Sequence, residues 1–378
     1  MNNTVALVLG LQDCGLGIVR SLAEDKTIQI LGLCGKNDFG RTSRYLEKVF
    51  PVDAKNYDEI RSTLLEINKI YNKIIPFPAG TDKWVTILAD LKNELTNFVI
   101  DYGDNIGDIM SKEYQAALSE RLHIPYPKSF IVTDINGVDK VKNLRFPIVV
   151  KPTTRNNIVK TFRILQYNNF ENFRKEIKPY LAQESIIVSE FIEGDDSTLY
   201  TYGSYAKDGD IVADFTGRKL FQKPPIFGVA GVAENLNGDY PFIDYSKKLL
   251  KELKFSGISQ LEYKRDVRNN EYYLTEINPR AWLWLYLATK CGMNLPLTKY
   301  YCLSGGCRSI DGEKNNLVKR MYISEKAVLY DIKKQKTMRW FKIILKRIFS
   351  HKKVYSISNI RDMKPLFTFL KKITTHDD

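Results

Sequence analysis

The sequence QLEYKRDVRNNEYYLTEINPR at Gln260–Arg280 has the pattern of a β-hairpin. Apolar and polar residues alternate on both sides of a polar turn at Arg268–Asn270. A turn centred there places Glu262 directly across from Glu276, with Asn278 two residues further along the same face. Opposed carboxylates weaken a sheet, but a hard divalent cation removes that penalty because Mg²⁺ prefers carboxylate and amide oxygens. The pattern therefore predicts a metal site on these three side chains.

The same hairpin ends in a basic residue and leaves two alternatives open. Arg280 follows Glu276 closely enough to meet an anion held by the same metal. A surface hairpin with solvated acids would have the same pattern. A bulge would shift the pairing by one residue and displace Glu262, because its register is inferred from the position of the turn.

The composition indicates a globular chain with an uneven charge. At 378 residues it is long enough for two or three lobes, and its 44% hydrophobic and 27% charged residues are ordinary for a soluble protein. Residues 308–378 contain 18 Lys and Arg against 7 Asp and Glu, within a net charge of +13. The basic character therefore belongs to the C-terminal part, and the preceding 307 residues carry only +2.

The few cysteines and histidines and the N-terminal segment bear on two questions. These are the cellular compartment of the protein and the type of catalysis it could perform. Five scattered cysteines without a CxxC pair predict reduced thiols. Only three histidines are present, none in a zinc-type spacing, which disfavours nucleophilic catalysis with a His base. The segment MNNTVALVLGLQDCG predicts a first strand and not a signal peptide, and no apolar run could span a bilayer. We expect a cytoplasmic protein.

Strand and helix patterns alternate over the first hundred residues, which predicts an α/β region with a mostly parallel sheet. The glycine turn at Gly10, Gly15 and Gly17 matches neither GxGxxG nor a Walker A sequence. We interpret it as close packing, with an anion site at the helix N-terminus as the alternative. A helix and the strand FPIVVKP follow later, and a run of strands through Glu234 predicts an antiparallel sheet.

Taken in order, these motifs resemble the ATP-grasp superfamily, and FPAGTDKWVTIL in the N-terminal region is similar to its carboxylate–amine ligase branch, associated with cell-envelope and exopolysaccharide pathways. The resemblance covers about the first 306 residues. It implies an N-terminal α/β domain at 1–110 and an α+β two-lobe ATP-grasp domain at 111–306. The small lobe would cover about 125–190 and the large lobe about 191–306. A basic helical extension would follow at 307–378.

Two lysines carry the resemblance to a phosphate site. Lys112 matches the family's helix-borne lysine that reaches the nucleotide phosphates, although Ser111 replaces the common Asp. Lys151, at the end of an apolar strand, matches the second phosphate-binding lysine. A lysine at the rim of a buried strand needs an anion, which ATP supplies. For each lysine the alternative is a solvated side chain.

The segment SEFIEG at Ser189–Gly194 resembles the hinge between the two lobes. There the backbone around Glu190 and Ile192 would bind the adenine edge. Asp196 falls where the family often places an acid on the ribose hydroxyls, and a turn pair of Asp195 and Asp196 is the alternative.

The motif FTGRKLFQKPP contains Arg218 and Lys219, and a basic residue here faces the phosphates or the substrate carboxylate in this branch. We favour Arg218 for its bidentate geometry and expect the other side chain to be solvated. Arg280 or Arg218 would stabilise the tetrahedral oxyanion. The loop after Lys151 lacks glycine, and its candidate replacements for backbone amide donors are Arg155, Asn156, Asn157 and Lys160.

The resemblance implies an ATP-dependent ligase that activates a carboxylate, such as that of an amino acid, as an acylphosphate and joins it to an amine. Its cofactors would be ATP and Mg²⁺, with two ions on Glu262, Glu276 and Asn278 and with Mn²⁺ as a substitute. The alternatives are an ATP-grasp kinase or carboxylase and a nucleotide-binding scaffold without turnover. The sequence identifies neither substrate, and it leaves the oligomeric state open.

The segment MRWFKIILKRIFSHKK at Met338–Lys353 predicts a basic amphipathic helix. Such a helix could lie on an anionic membrane, as a peripheral contact at the inner face, or pack on the protein's own body with a solvated basic face. The region lacks a recognisable nucleic-acid module, so we expect no specific nucleic-acid partner.

Overall fold

A computed structural model describes residues 4–152, 165–306 and 318–375. Its N-terminal part is a parallel sheet with strand order β3–β2–β1–β4. The elements are β1 (Thr4–Leu9), α1 (Asp13–Leu22), β2 (Gln29–Gly35), β3 (Lys48–Val52), α2 (Tyr57–Ile70), β4 (Lys73–Pro78) and α3 (Asp82–Asp90). The inner strands are apolar along their length because helices cover both faces of the sheet. The predicted parallel α/β region is confirmed.

The next part is a small four-stranded antiparallel sheet with order β5–β8–β6–β7. Its elements and the helices before it are α4 (Ile106–Met110), α5 (Lys112–Arg121), β5 (Ser129–Val132), β6 (Ile148–Pro152), β7 (Leu165–Tyr167), α6 (Phe170–Glu176), α7 (Lys178–Leu181) and β8 (Ile186–Glu190). The sheet packs on a buried apolar cluster that includes Phe173, Ile186 and Val188. The Gly-free loop with Arg155, Asn156, Asn157 and Lys160 lies outside the described residues.

A seven-stranded mixed sheet with order β13–β12–β9–β10–β11–β14–β15 forms the largest layer. Its first elements are β9 (Leu199–Lys207), β10 (Asp210–Lys223), β11 (Val229–Asn235), α8 (Pro241–Glu252), β12 (Gly257–Arg265), β13 (Tyr272–Asn278), α9 (Tyr286–Lys290) and α10 (Leu295–Ser304). The last are β14 (Arg320–Ile323), α11 (Glu325–Tyr330), α12 (Arg339–Lys346), β15 (Lys352–Tyr355) and α13 (Lys364–Thr375). Short 3₁₀ helices occur at Phe39–Thr42, Ile135–Asn143 and Asp196–Thr198, and a π-helix at Asp331–Gln335.

The C-terminal part differs from the predicted helical extension because it also supplies two strands. β14 pairs antiparallel with β11, and β15 pairs parallel with β14. A buried ion pair of 3.1 Å between Arg20 and Asp362 joins this part to α1. The pairing partner of β14 lies far away in the sequence, so the local helical periodicity around residue 340 could not reveal these strands.

Trp282 and Trp284 fill the core instead of lining a pocket. Each is 1% exposed, and their rings stand over Gly203 and Gly217 on the large sheet. A Cβ atom at either glycine would collide with a tryptophan ring. The absence of a side chain at these two strand positions is what allows the indoles to approach the backbone.

The described cysteines divide into two groups, and Cys307 lies outside the described residues. Cys14, Cys34 and Cys291 are buried free thiols, as predicted. Cys302 is disulfide-bonded, so the expectation of reduced thiols is wrong for that residue. None of the helices within residues 4–152, 165–306 and 318–375 has the length and apolarity needed to cross a membrane.

Candidate active site

The hairpin of β12 and β13 has the predicted register. Glu262 pairs with Glu276, and Gln260 pairs with Asn278. A bulge is present, but it begins on the turn side of the acid pair and leaves the two carboxylates opposed. Its extra residue, Thr275, donates its hydroxyl to the carbonyl oxygen of Glu262 at 3.0 Å. The acid pair and the amide of Asn278 therefore share one face of the sheet.

Glu262 and Glu276 lie on the floor of a cavity of about 230 Å³ between the small and large sheets, and Asn278 and Arg280 are not among its described lining residues. Basic and acidic side chains occupy its floor and one wall, and apolar hinge residues occupy another. The described residues that line it include Lys112, Lys151, Glu190, Phe191, Ile192, Lys219, Gln222, Ile226, Glu262, Lys264 and Glu276. Six of the residues predicted from the sequence (Lys112, Lys151, Glu190, Ile192, Glu262 and Glu276) are thus brought together in one cavity.

A lysine contacts each carboxylate of the pair. Lys112, in the first turn of α5, places Nζ 2.8 Å from Oε1 of Glu276. Lys219, from β10, places Nζ 2.9 Å from Oε1 of Glu262. Both lysines are largely buried, so these contacts are less screened than surface ion pairs. They offset the repulsion between the opposed acids and place two cations at the cavity.

The donor set of Glu262, Glu276 and Asn278 suits Mg²⁺ in chemical type, since all three offer hard oxygen atoms on one face. Asn278 is 3% exposed, and its amide nitrogen faces the side-chain oxygen of Gln260 at 3.5 Å. Its oxygen Oδ1 accepts from Arg280 at 3.1 Å. In the described residues no group of three or more His, Cys, Asp or Glu side chains is arranged to hold a metal. The donors here are thus two carboxylates and an amide, which leaves places for phosphate and water oxygens.

Arg280 links the hairpin to the N-terminal sheet. Its Nε donates to Asp82 at the start of α3 at 2.8 Å, and Nη1 donates to the carbonyl of Ala281 at 3.2 Å. Ala281 also forms a parallel bridge with Ala79, just beyond β4. The parallel sheet therefore fixes the orientation of the Arg280 guanidinium beside Asn278.

The structure places Lys219, and not the favoured Arg218, at the cavity. The two are consecutive residues of β10, so they project from opposite faces, and only Lys219 faces the cavity. Arg218 instead donates to Glu234, with both Nε and Nη2 at 2.7 Å from Oε1. Glu234 also accepts from Arg347 at 2.8 Å and lies 3.2 Å from Nε2 of His351. Arg218 is part of a buried ion cluster on the far side of the sheet.

The same cluster shifts the pKa values of its members. Burial favours the neutral form of Glu234, but hydrogen bonds from Arg347 and Arg218 outweigh it and hold the pKa of Glu234 below its usual value. Burial lowers the pKa of His351, although the charge of Glu234 acts in the opposite direction. Glu234 is therefore a carboxylate with three basic partners, and the cluster has a structural role.

Asp196 lies outside the set of described residues that line the cavity. It is 2% exposed, and its carboxylate accepts from the backbone and side-chain nitrogens of Gln222, both at 3.1 Å, and from the nitrogen of Ile226 at 3.2 Å. Arg339 approaches it at 3.5 Å. Gln222 and Ile226 do line the cavity. The geometry therefore favours a role for Asp196 in holding this loop over direct contact with a ribose.

A buried lysine on β12, which the sequence analysis missed, contacts the hinge. Lys264 is 8% exposed, and its Nζ lies 4.1 Å from the ring centre of Phe191. Burial lowers the pKa of Lys264 to about 8. Strand alternation was the available signal, because Lys264 lies two residues from Glu262 on the same face. The carboxylate of Glu190 accepts from the backbone nitrogen of Arg145 at 3.0 Å, which connects the hinge to the segment before β6.

Comparison with known proteins agrees with this architecture. No protein-family model matches the chain. A D-aspartate ligase of Enterococcus faecium (strain Aus0004) is 25% identical over 239 residues, which are 57% of this chain and 55% of that protein. The chain thus spans about half the length of this curated relative.

Two solved structures are similar over most of both chains. The ADP complex of purK, an N5-carboxyaminoimidazole ribonucleotide synthetase, aligns with a TM-score of 0.66 at 13% identity over 85% of this chain and 81% of that one. An L-amino acid ligase from Bacillus licheniformis aligns with a TM-score of 0.63 at 14% identity, over 85% of this chain and 79% of that one. These likenesses show that the chain has an ATP-grasp-like fold with a parallel-sheet N-terminal domain.

Proposed function

We propose that this chain is an ATP-dependent carboxylate–amine ligase. The observation that carries the proposal is the opposed pair of Glu262 and Glu276, each in contact with a lysine, on the floor of a cavity between two sheets. Lys151 faces the same cavity from the small sheet. Such a site can hold a nucleotide triphosphate and a hard cation together.

The proposed reaction has two steps. A substrate carboxylate oxygen attacks the γ-phosphorus of ATP, and the bond from that phosphorus to the β,γ-bridging oxygen breaks. ADP departs, and the product is an acylphosphate. An amine then attacks the acyl carbon, phosphate departs with the carbon–oxygen electron pair, and the nitrogen loses a proton as the amide forms. Both steps depend mainly on positioning and on charge stabilisation, which this lysine-rich and arginine-bearing site can supply.

The described side chains suit distinct roles in that reaction. Lys112, Lys151 and Lys219 would bind the phosphates, and Lys219 takes the place that we had expected for Arg218. Arg280 would stabilise the oxyanion, held in orientation by Asp82. The hinge backbone at Glu190 and Ile192 would bind the adenine.

The metal proposal rests on the donor set. Glu262, Glu276 and Asn278 would hold Mg²⁺, with two ions as the expected number and Mn²⁺ as a substitute. The cation would supply charge neutralisation between the phosphates. We propose an amino acid as the carboxylate substrate and a cell-envelope or small-molecule amine as the acceptor, recognised by the N-terminal region and by Arg280.

The test is Mg²⁺-dependent phosphate release from ATP with a panel of amino acids as carboxylates and amino acids or amino sugars as amines. Hydroxylamine in place of the amine traps an acylphosphate as a hydroxamate. The ligase proposal expects phosphate release that needs both partners and is lost in Glu276→Gln. The matched control is Glu271→Gln, an exposed acid in the turn of the same hairpin.

Other outcomes identify the alternatives. Turnover that needs no amine would show a kinase or carboxylase and contradict the ligase. The lysine partners also give the acid pair a structural explanation, so a scaffold is the second alternative. ATP binding without turnover under any pairing, or hydroxamate formation that is equal in Glu276→Gln, would argue against the proposed ligase site.

A further inference from the structure

The helix α12 and the turn after it have one face packed on the body and one face turned outward. Trp340, Ile343 and Ile344 pack against the buried cluster around Phe221 and Met321. The inner face of the helix therefore packs on the protein's own body, which was one of the two interpretations of its sequence. The packing accounts for only part of the apolar surface, however.

The outward face carries a second set of large apolar side chains. Phe341 and Leu345, four residues apart on the helix, are 46% and 55% exposed. Ile348 is 41% exposed, and Phe349 is fully exposed. We call these four residues the outer stripe. Exposed apolar side chains grouped in this way mark interaction surfaces more often than scattered single residues do.

The charge around the outer stripe has a single sign. Met338–Lys353 contains six Lys and Arg and no Asp or Glu. Arg339 and Arg347 turn inward, to Asp196 and Glu234, at 3.5 and 2.8 Å. The exposed cations that flank the outer stripe are Lys342, Lys346 and Lys352. The inner cations thus fasten the segment to the body, and the outer ones face away from it.

We propose that the outer stripe and its flanking lysines dock on the surface of an anionic lipid bilayer. Apolar side chains would enter the acyl boundary while the lysines extend along their stems to the headgroups. A fluid apolar layer can accept a protruding side chain such as the fully exposed Phe349 without a complementary shape, and the flanking lysines match anionic headgroups in charge. The inference is independent of the ligase activity, because it concerns a surface outside the cavity.

The experiment is flotation of the full chain with vesicles of equal parts phosphatidylglycerol and phosphatidylcholine, against vesicles of phosphatidylcholine alone. We expect binding to the anionic vesicles that weakens as salt increases. Lys342→Gln with Lys346→Gln should weaken it about 25-fold, since each lysine near an anionic surface contributes about fivefold. Phe341→Ser with Phe349→Ser should weaken it about tenfold.

Matched controls separate this surface from general charge and apolarity. Lys175→Gln with Lys178→Gln removes the same charge from exposed positions of the small lobe, and Ile135→Ser removes a side chain that is 51% exposed there. Neither control should change vesicle binding, and melting curves establish that all variants fold.

Three results would overturn the proposal. The first is no flotation with anionic vesicles at low salt. The second is an equal loss of binding in the controls. The third is that Phe341→Ser with Phe349→Ser leaves vesicle binding unchanged but alters the mass in solution or the affinity for RNA, which would assign the surface to a second copy or to nucleic acid.

Discussion

The Nζ atom of Lys219 lies 2.9 Å from Oε1 of Glu262, across the intervening strand β9. Lys112 makes the corresponding contact with Glu276 at 2.8 Å. The hairpin acids and the two lysines therefore form a nearly neutral set. This arrangement lets the sheet hold opposed carboxylates without strong repulsion and keeps both lysines at the cavity.

The acid pair is the first point to test. Glu262→Gln or Glu276→Gln should each lower turnover at least about 100-fold, because a bound cation that neutralises transferring phosphate contributes several kcal/mol. Steady-state phosphate release at saturating ATP measures this effect. Glu271→Gln, in the turn, should retain activity, and a similar loss in that variant would contradict the assignment.

Lys219 and Arg218 should have opposite phenotypes. Lys219→Met should lower kcat or raise the KM for ATP about tenfold or more, because a charge-assisted contact is lost. Arg218→Met should leave both constants nearly unchanged but reduce the free energy of unfolding by about 2 kcal/mol, since Glu234 loses one of its partners. Kinetics and chemical denaturation of both variants give the comparison, and reversed phenotypes would restore Arg218 as the site residue.

Asp196 should act on the nucleotide through the loop at Gln222 and Ile226. Asp196→Ala should lower the melting temperature and raise the KM for ATP, while Asp196→Asn, which keeps one acceptor oxygen, should do less. Comparison of ATP with 2′-deoxy-ATP separates the two roles. If Asp196 binds the ribose directly, the preference for ATP will disappear in Asp196→Ala, whereas a positioning role leaves that preference unchanged.

The buried cluster should make stability fall in mild acid. The pKa of His351 is lowered in the folded protein, so below its ordinary value of about 6.5 the unfolded chain binds the extra proton more readily. The contribution is present above that pH and is lost as the pH falls through the lowered folded-state value. Melting temperatures of wild type and His351→Gln between about pH 7.5 and pH 5.5 test this. The variant should lose part of the acid-dependent decrease, and parallel curves would exclude His351 as the source.

The residue pattern was enough to predict the hairpin register and the parallel N-terminal sheet, whereas the grouping of Lys151 with the acid pair was implied by the family resemblance. The two predictions from the pattern depend on short-range features, namely strand alternation and a polar turn. Such features act through the local backbone, so they can be recognised in the sequence without knowledge of the rest of the fold.

Contacts between segments that are distant in the sequence cannot be predicted from such short-range features. Alternation shows that Arg218 and Lys219 project to opposite sides, but which side faces the cavity depends on the packing of the small sheet over the large one. The partners of Arg218 and Asp196 come from places as remote as Arg347 and Arg339. Strands β14 and β15 likewise exist because β11 offers an open edge. These choices are made by long-range burial and charge pairing, whose energies depend on the assembled layers and not on any local run of residues.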